Sequence, residues 1–357
     1  LGENALQKIT KGLGSMKKLK MMSLLLVVLL CLTACGGTTT TEEPSDTSGD
    51  TSSEENSDVV EFPTQDIRVI VPYAAGGNTD LDGRAIANII DQNSLLSKTM
   101  VVTNITGANT MNAAQSLLDA EPDGHTLLMH HTAFIASSAA GTVEIQYSNF
   151  KPLIEASIQP FVLSVAASSG FATADDIIQY AKENPGELTV GYVGTGSTSH
   201  LAATIFLQAS GIYDNVKMIT YSSSTDALTA QLGGELVVRV GPAADSARYV
   251  TSGELVAVAV SNETDIDVWA GVPTFADLGS DISYACRQGY YVRKEVPQEV
   301  CDILIQAISQ AISTDEYAEF CASNGMEPSG LYGDELQSAW DADYEMIKEI
   351  FDSGAMG

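Results

Sequence analysis

Positive charge is scarce in this chain. Across 357 residues, 17 Lys and Arg face 46 Asp and Glu, a formal net charge of −29 at neutral pH. So acidic a body repels phosphate backbones and anionic lipid headgroups, which argues against nucleic acid and against peripheral membrane binding. Cysteine is scarce too. Of five in the chain, Cys286, Cys301 and Cys321 lie beyond the N-terminal region, and none has metal-ligand or redox spacing. They read as inert buried thiols in preference to one disulfide with a thiol left over. The four histidines form no H-E-x-x-H motif, and no nucleophile elbow or paired cysteine ligands occur. The usual signatures of a hydrolase or metalloenzyme are therefore missing, and no metal or cofactor is expected.

A long hydrophobic run is also lacking. The most apolar stretch, Met21 to Ala34, is shorter than the roughly 20 residues that cross a bilayer. It follows Lys17, Lys18 and Lys20 and ends in Leu32-Thr33-Ala34-Cys35. A basic start, a short apolar region and small residues before a cysteine make a bacterial lipoprotein signal over 16–34, with Cys35 as the lipidated residue. Residues 1–15 precede Met16 and read as a spurious upstream extension. Residues 35–61, rich in Thr, Ser, Gly and acids, read as a disordered tether that self-repulsion keeps extended from the membrane. Five cations and one acid lie in Leu1–Ala34, so the rest of the chain carries 12 basic against 45 acidic residues, or −33.

From Asp66 onward short β-rich runs alternate with helical stretches, which predicts an α/β fold with parallel strands covered by helices. Strands are expected at 67–71, 126–129, 161–165, 188–193, 216–221 and 255–260. Helices are expected near 79–92, 109–119, 174–184 and 199–209. Thr173 and Asp176 form a capping box for the third of these helices. Val300, Leu304, Ile308 and Ile312, and then Leu336, Trp340, Tyr344, Ile347 and Phe351, give two amphipathic C-terminal stripes that read as core. The roughly 295 residues after the tether suit two domains of ordinary size.

Two segments carry chemistry, each a strand, a glycine turn and a helix start. In one, Gly76 and Gly77 precede Asn78, Thr79 and Asp80. In the other, Gly194 and Gly196 alternate with Thr195 and lead into Ser197, Thr198, Ser199 and His200. Glycine lets backbone amides approach a ligand, and a helix N-terminus presents unpaired N–H groups at a positive dipole end. A carboxylate or phosphate suits such a place, although Ser, Thr and Asp are also ordinary caps. The second loop looks like a truncated dinucleotide fingerprint, but the next strand ends in Tyr221-Ser222, without the acid that would hold a ribose.

Pro72-Tyr73-Ala74-Ala75-Gly76-Gly77-Asn78-Thr79-Asp80 resembles the first ligand loop of the extracytoplasmic solute-binding receptors of tripartite tricarboxylate transporters (TctC/Bug-like). The resemblance continues in order through Asn104 to Asn109, Glu121 to Leu128, Gly194 to Leu201, Leu232-Gly233-Gly234 and Gly271 to Phe275, and covers nearly everything from Phe62 onward. It implies a fold like that of type II periplasmic binding proteins, with a ligand cleft between two α/β domains joined by a two-strand hinge. Residues 62–162 with 290–357 would form domain 1 and 163–289 domain 2, with crossovers near Phe161 to Ala167 and Tyr284 to Val292. The implied ligand is a small carboxylate. Tyr73, Ala74, Gly76, Gly77, Asn78, Thr79 and Asp80 match one wall of the cleft, and Thr195, Gly196, Ser197, Thr198, Ser199 and His200 the other. Ser222 and Asp245 stand where the pattern departs. Tyr221-Ser222-Ser223-Ser224-Thr225 replaces a common Tyr-Lys-Gly, and the Asp that usually follows the glycine pair is lost, with Asp245 further on. Losing a cation argues against a citrate-like tricarboxylate.

His131, with His130 at a strand's C-terminal end, is a further ligand candidate. The expected protein is thus a monomeric, lipid-anchored receptor on the outer face of the cell membrane. It would pass a carboxylate to integral membrane permease subunits and catalyse nothing. An exported α/β enzyme acting on a carboxylate, or a receptor for a membrane sensor, are the alternatives.

Overall fold

Burial on both faces shapes the first strand. Ile67, Val69, Ile70 and Val71 are fully buried in β1 (Ile67–Val71), the near-continuous apolar run that a parallel strand with helices on both sides requires. The computed structural model describes residues 60–262, 264, 266–354 and 356. The predicted signal, Cys35 and all but the end of the predicted tether lie outside them. In parallel with β1 run β2 (Met100–Asn104) and β3 (Thr126–His131). Between β1 and β2 lies α1 (Asn78–Gln92), which turns Ile86, Ala87, Ile89 and Ile90 inward. Each such side chain contributes about 1.5–3 kcal/mol relative to exposure for the larger aliphatics. Then α2 (Met111–Leu118) precedes β3, and α3 (Ala133–Ala139) follows it.

β4 (Phe150–Ala166) holds the two halves of the sheet together. Its first part, through Pro160, pairs antiparallel with β9 (Ala285–Arg293), which also pairs with β3. From Phe161 on it pairs instead with β7 (Val238–Pro242) and β8 (Leu255–Val260). Beyond β7 lie β5 (Leu188–Val193) and β6 (Val216–Tyr221), both parallel. The resulting order is β2-β1-β3-β9-β4-β7-β5-β6, with β8 and the short β10 (Glu327–Pro328) also on β4. At the handover, Ser261 Oγ accepts the Phe161 N–H at 2.8 Å and donates to the Tyr284 carbonyl, and the Phe161 and Tyr284 rings stack at 4.9 Å.

The second half carries α4 (Ala174–Glu183), α5 (Thr198–Ala209), α6 (Ser224–Leu232) and α7 (Ala243–Thr251). The Thr173–Asp176 capping box is present in full. The C-terminal helices α8 (Gln298–Ile312), α9 (Asp315–Ser323) and α10 (Gly333–Asp352) return to the first half, where α8 packs on α1 and α10 on α3 and β4.

β4 is three times the length expected from residues 161–165. Proline donates no N–H to a strand ladder, yet the strand runs through Pro152 and Pro160, with register shifts near Pro152 and Glu155. The second helix starts at Met111, two residues later than expected, because Ala108, Asn109 and Thr110 have φ of 49°, 50° and 71°. Inside the first half, fully buried Glu155 accepts from Trp340 Nε1 at 3.0 Å and Arg287 Nη1 at 3.2 Å, and Arg287 Nε donates to Asp343 at 3.0 Å. The cluster pins α10 to β4 and β9, since a charge buried without its partner costs about 3–5 kcal/mol.

Candidate functional site

The two glycine loops face a common cavity of about 510 Å³ between the halves of the sheet. Tyr73, Gly77, Asn78 and Thr79 line it from the first loop, with His131 at the end of β3. Ser197, Thr198 and Ser199 line it from the second, and Asp245 from the first turn of α7. Ala74, Gly76, Asp80, Thr195, Gly196, His200 and Ser222 are not on this surface. Most of these instead hold the loops in place.

Asp80 shows how. It is 1% exposed. Its carboxylate accepts from the Gly76 N–H at 2.8 Å, Arg84 Nε at 3.0 Å and Asn104 Nδ2 at 2.9 Å, and Asn104 also donates to the Tyr73 carbonyl at 2.9 Å. Burial pushes its pKa up, but the hydrogen bonds from Arg84, Gly76 and Asn104 outweigh it and hold the carboxyl below the ordinary aspartate value. Loop one is thus folded around a charged anchor. In loop two the equivalent is His200, stacked on Tyr192 at 4.1 Å and accepting the Gly196 N–H on Nδ1 at 3.1 Å. Burial lowers its pKa, which favours the neutral ring that can accept. Ser222 is exposed and donates to Asp226 at 2.6 Å, at the start of α6. Its neighbour Ser224 reaches the cavity instead.

Loop anchoring leaves the first amides of both helices unspent. The N–H groups of Asn78 and Thr79 in α1, and of Thr198 and Ser199 in α5, donate to no described protein group, whereas the Ser197 hydroxyl accepts from His200 N. The four residues that carry these free donors all line the cavity. A helix start of this kind favours negative charge by about 0.3–1 kcal/mol or more through its dipole, besides the hydrogen bonds themselves.

His131 stacks on Tyr73 at 4.7 Å, and its Nδ1 accepts the Ala133 N–H at 3.1 Å. That bond places the ring proton on Nε2, and burial pushes the pKa down to about 4, so the side chain is a neutral donor at pH 7. Buried His130 similarly accepts the His131 N–H at 2.8 Å.

Sequence reasoning missed much of the remaining wall, which includes Asn109, Thr110, Ser137, Gln159, Ser224, Cys286 and Gln288. Thr110 is a β-branched residue at φ 71°, an uncommon and strained conformation that tends to persist at functional sites. Gln159 Oε1 accepts the Ala244 N–H at 3.0 Å and so holds the start of α7. Burial, aided by the charge of Asp245, pushes the Cys286 thiol up to about 12, and all three thiols beyond the tether are buried and free. Asp245 accepts from Arg239 Nη2 at 2.9 Å, and Ser224 also donates to it. Arg239, fully buried on β7, lies behind this wall rather than on it. The lining therefore includes no Lys or Arg side chain. Among the described residues no group of three or more His, Cys, Asp or Glu could hold a metal ion.

Two α/β halves around a polar cleft, joined through the sheet, define a periplasmic-binding-protein-like fold of type II. Solved structures agree. A periplasmic transporter is similar at 27% identity with a TM-score of 0.71, covering 82% of this chain and 97% of that one. A TctC solute-binding protein from Polaromonas gives 26% identity and a TM-score of 0.70, with 82% and 99% covered. The family model described as "Tripartite tricarboxylate transporter family receptor" matches residues 84–346. A UPF0065 protein of Cupriavidus necator is 30% identical over 271 residues, which cover 75% of this chain and 81% of that protein. The chain belongs to the tripartite tricarboxylate transporter receptor family.

Proposed function

We propose that the protein is a lipid-anchored extracytoplasmic receptor. It captures a small carboxylate in the cleft and delivers it to the membrane permease subunits of a tripartite tricarboxylate-type transporter. The observation that carries the ligand class is the pair of helix starts at Asn78 and Thr79 and at Thr198 and Ser199, whose residues line one cavity and whose amides have no protein acceptor. A charge-assisted hydrogen bond contributes about 1.5–3 kcal/mol, so several amides supply useful affinity without a salt bridge. Family membership supports delivery to a transporter and a place outside the cytoplasm. Lipid attachment rests on the sequence around Cys35.

In this reading Tyr73, Gly77, Asn78, Thr79, His131, Ser197, Thr198, Ser199 and Asp245 face the ligand. Ala74, Gly76, Asp80, Thr195, Gly196 and His200 shape the loops behind them, and Ser222 acts only through α6. Residues 62–162 with 290–357 form one lobe and 163–289 the other. A ligand touching both helix starts binds the closed arrangement better and shifts the population towards it. The site is a binder rather than a catalyst: the thiol on its wall is held protonated and the His131 Nδ1 is committed to a backbone amide. A thermal-shift screen of mono-, di- and tricarboxylates tests the reading, since a ligand at 100 times its Kd adds about 2.7 kcal/mol of stability. Stabilisation by di- or monocarboxylates supports it. No response to any carboxylate would sink it.

A further inference from the structure

A second concave surface, with no lining residue in common with the ligand cavity, is an open groove of about 840 Å³ built by both lobes. Ile266 and Val268 line it from the lobe of residues 163–289, and Ala318, Ala322 and Met326 from the lobe that carries α9. Its two walls are tied to each other. Trp269 Nε1 donates to the Gly325 carbonyl at 3.2 Å, and Thr264 donates to Glu327. A Cβ on Gly325 would come within 2.7 Å of the Trp269 ring, so the lobes pack tightly here and any rotation of one against the other reshapes the groove.

Met326 makes the groove and the ligand cavity neighbours. It is 1% exposed and lines the groove, while its sulfur accepts from Asn78 Nδ2 at 3.5 Å and Gln288 Nε2 at 3.7 Å. Asn78 and Gln288 both line the ligand cavity. One flexible, unbranched side chain whose thioether accepts only weakly thus lies between the two surfaces.

The chemistry of the groove states what fits it. Its aliphatic lining is joined by two acids, Asp267 and Glu327, and by no Lys or Arg. Ala318 and Ala322, one turn apart on α9, are exposed, and their small side chains leave room beside the helix. In a chain of net charge −29 such a place repels acidic proteins and anionic lipid, and complements a basic segment that carries an apolar side chain.

We propose that the receptor docks a basic, apolar-tipped loop of its permease in this groove. The inference rests on the transporter reading above. A permease has to tell the loaded receptor from the empty one, which requires a surface that differs between the two states. A groove built by both lobes, with Met326 held by two residues of the ligand cavity, meets that requirement.

Cross-linking in membranes that hold the full-length receptor and epitope-tagged permease subunits tests it. Ala318→Cys and Ala322→Cys each place a thiol in the groove, and because Cys286, Cys301 and Cys321 are buried, a maleimide-linked photoprobe labels the new site. Both should cross-link to the permease, with a yield that rises severalfold on adding a carboxylate from the thermal-shift screen. Ala172→Cys, exposed just before α4 and outside the groove, should not. Ala322→Arg, which sets a cation against the basic loop, should cut carboxylate uptake more than about tenfold while calorimetry shows unchanged ligand affinity. Uptake by Ala322→Arg equal to that of the unaltered protein, or cross-links to the permease from Ala172 and from neither groove position, would overturn the inference and leave the transporter reading standing. A cross-link to a second copy of the receptor would overturn it too, making the groove an oligomer interface. If the unaltered protein supports no permease-dependent uptake, both readings fall together.

Discussion

Gln288 on the cavity wall is hydrogen-bonded at 3.2 Å to Asp82, a fully buried acid in the second turn of the helix whose first residues line the same cavity. Asp82 also accepts from Tyr317 at 2.6 Å and Ser157 at 2.7 Å. The network joins α1, α9 and the two strands β4 and β9, so the ligand wall and the link between the lobes share one polar knot.

Burial pushes the Asp82 pKa up to about 6, against an ordinary value of 3.8, despite the hydrogen bonds from Tyr317 and Ser157. The folded protein then keeps a proton between pH 3.8 and about 6 that the unfolded chain has released. The stabilising contribution is complete below the unfolded pKa and is lost as pH rises through the folded one. Asp343 is also raised to about 6 and acts with the same sign, but it is common to wild type and variant. Urea unfolding of wild type and Asp82→Asn should therefore show wild type losing on the order of 2 kcal/mol relative to the variant between about pH 4 and 7. A difference that does not change with pH would refute the assigned protonation.

Asp80 acts through loop one. Asp80→Ala removes the acceptor that fixes the Gly76 amide and the Asn104 side chain, and ligand affinity should fall more than about tenfold. Arg84, whose side chain is 43% exposed, donates to the same buried carboxylate, but Gly76 and Asn104 still hold Asp80 without it, so Arg84→Ala should change affinity by less than about threefold. Titration calorimetry with a carboxylate from the screen measures both. Equal losses from the two substitutions would mean that a cation, not the folded loop, attracts the ligand.

Cys35 lies outside the described residues, and its role rests on the basic cluster, the short apolar run and the small residues before it. Cys35→Ser should move the protein from the membrane fraction to the soluble one. Retention of the variant on membranes after a carbonate wash would show that the anchor is something else.

Local pattern made part of this legible in the sequence. Both glycine loops could be placed because each follows a strand with a strong apolar run, β1 and β5, and precedes a helix, so Asn78, Thr79, Thr198 and Ser199 emerge from spacing alone. Long-range pairing hid the remainder. Gln159, Cys286 and Gln288 reach the cavity only because β4 passes through its prolines and pairs with β9. Arg239 sits in a strand without polar signals of its burial, and its partners Ser224 and Asp245 come from two other helices. Left-handed Thr110 has no local glycine or asparagine signature at its own position. Gly196 corrects an assumption about mechanism. Its N–H is spent on His200 and its residue is absent from the lining, so its value is the φ of 75° that the turn requires.

The central claim is that backbone amides at two helix starts, with no cationic side chain, hold the carboxylate. Amide proton and nitrogen NMR shifts during titration with a binding carboxylate test it most directly. Asn78, Thr79, Thr198 and Ser199 should show the largest downfield proton shifts in the protein, since their N–H groups pass from no protein partner to a charged acceptor. Saturable binding that leaves all four amides unmoved, with the large shifts elsewhere, would contradict it.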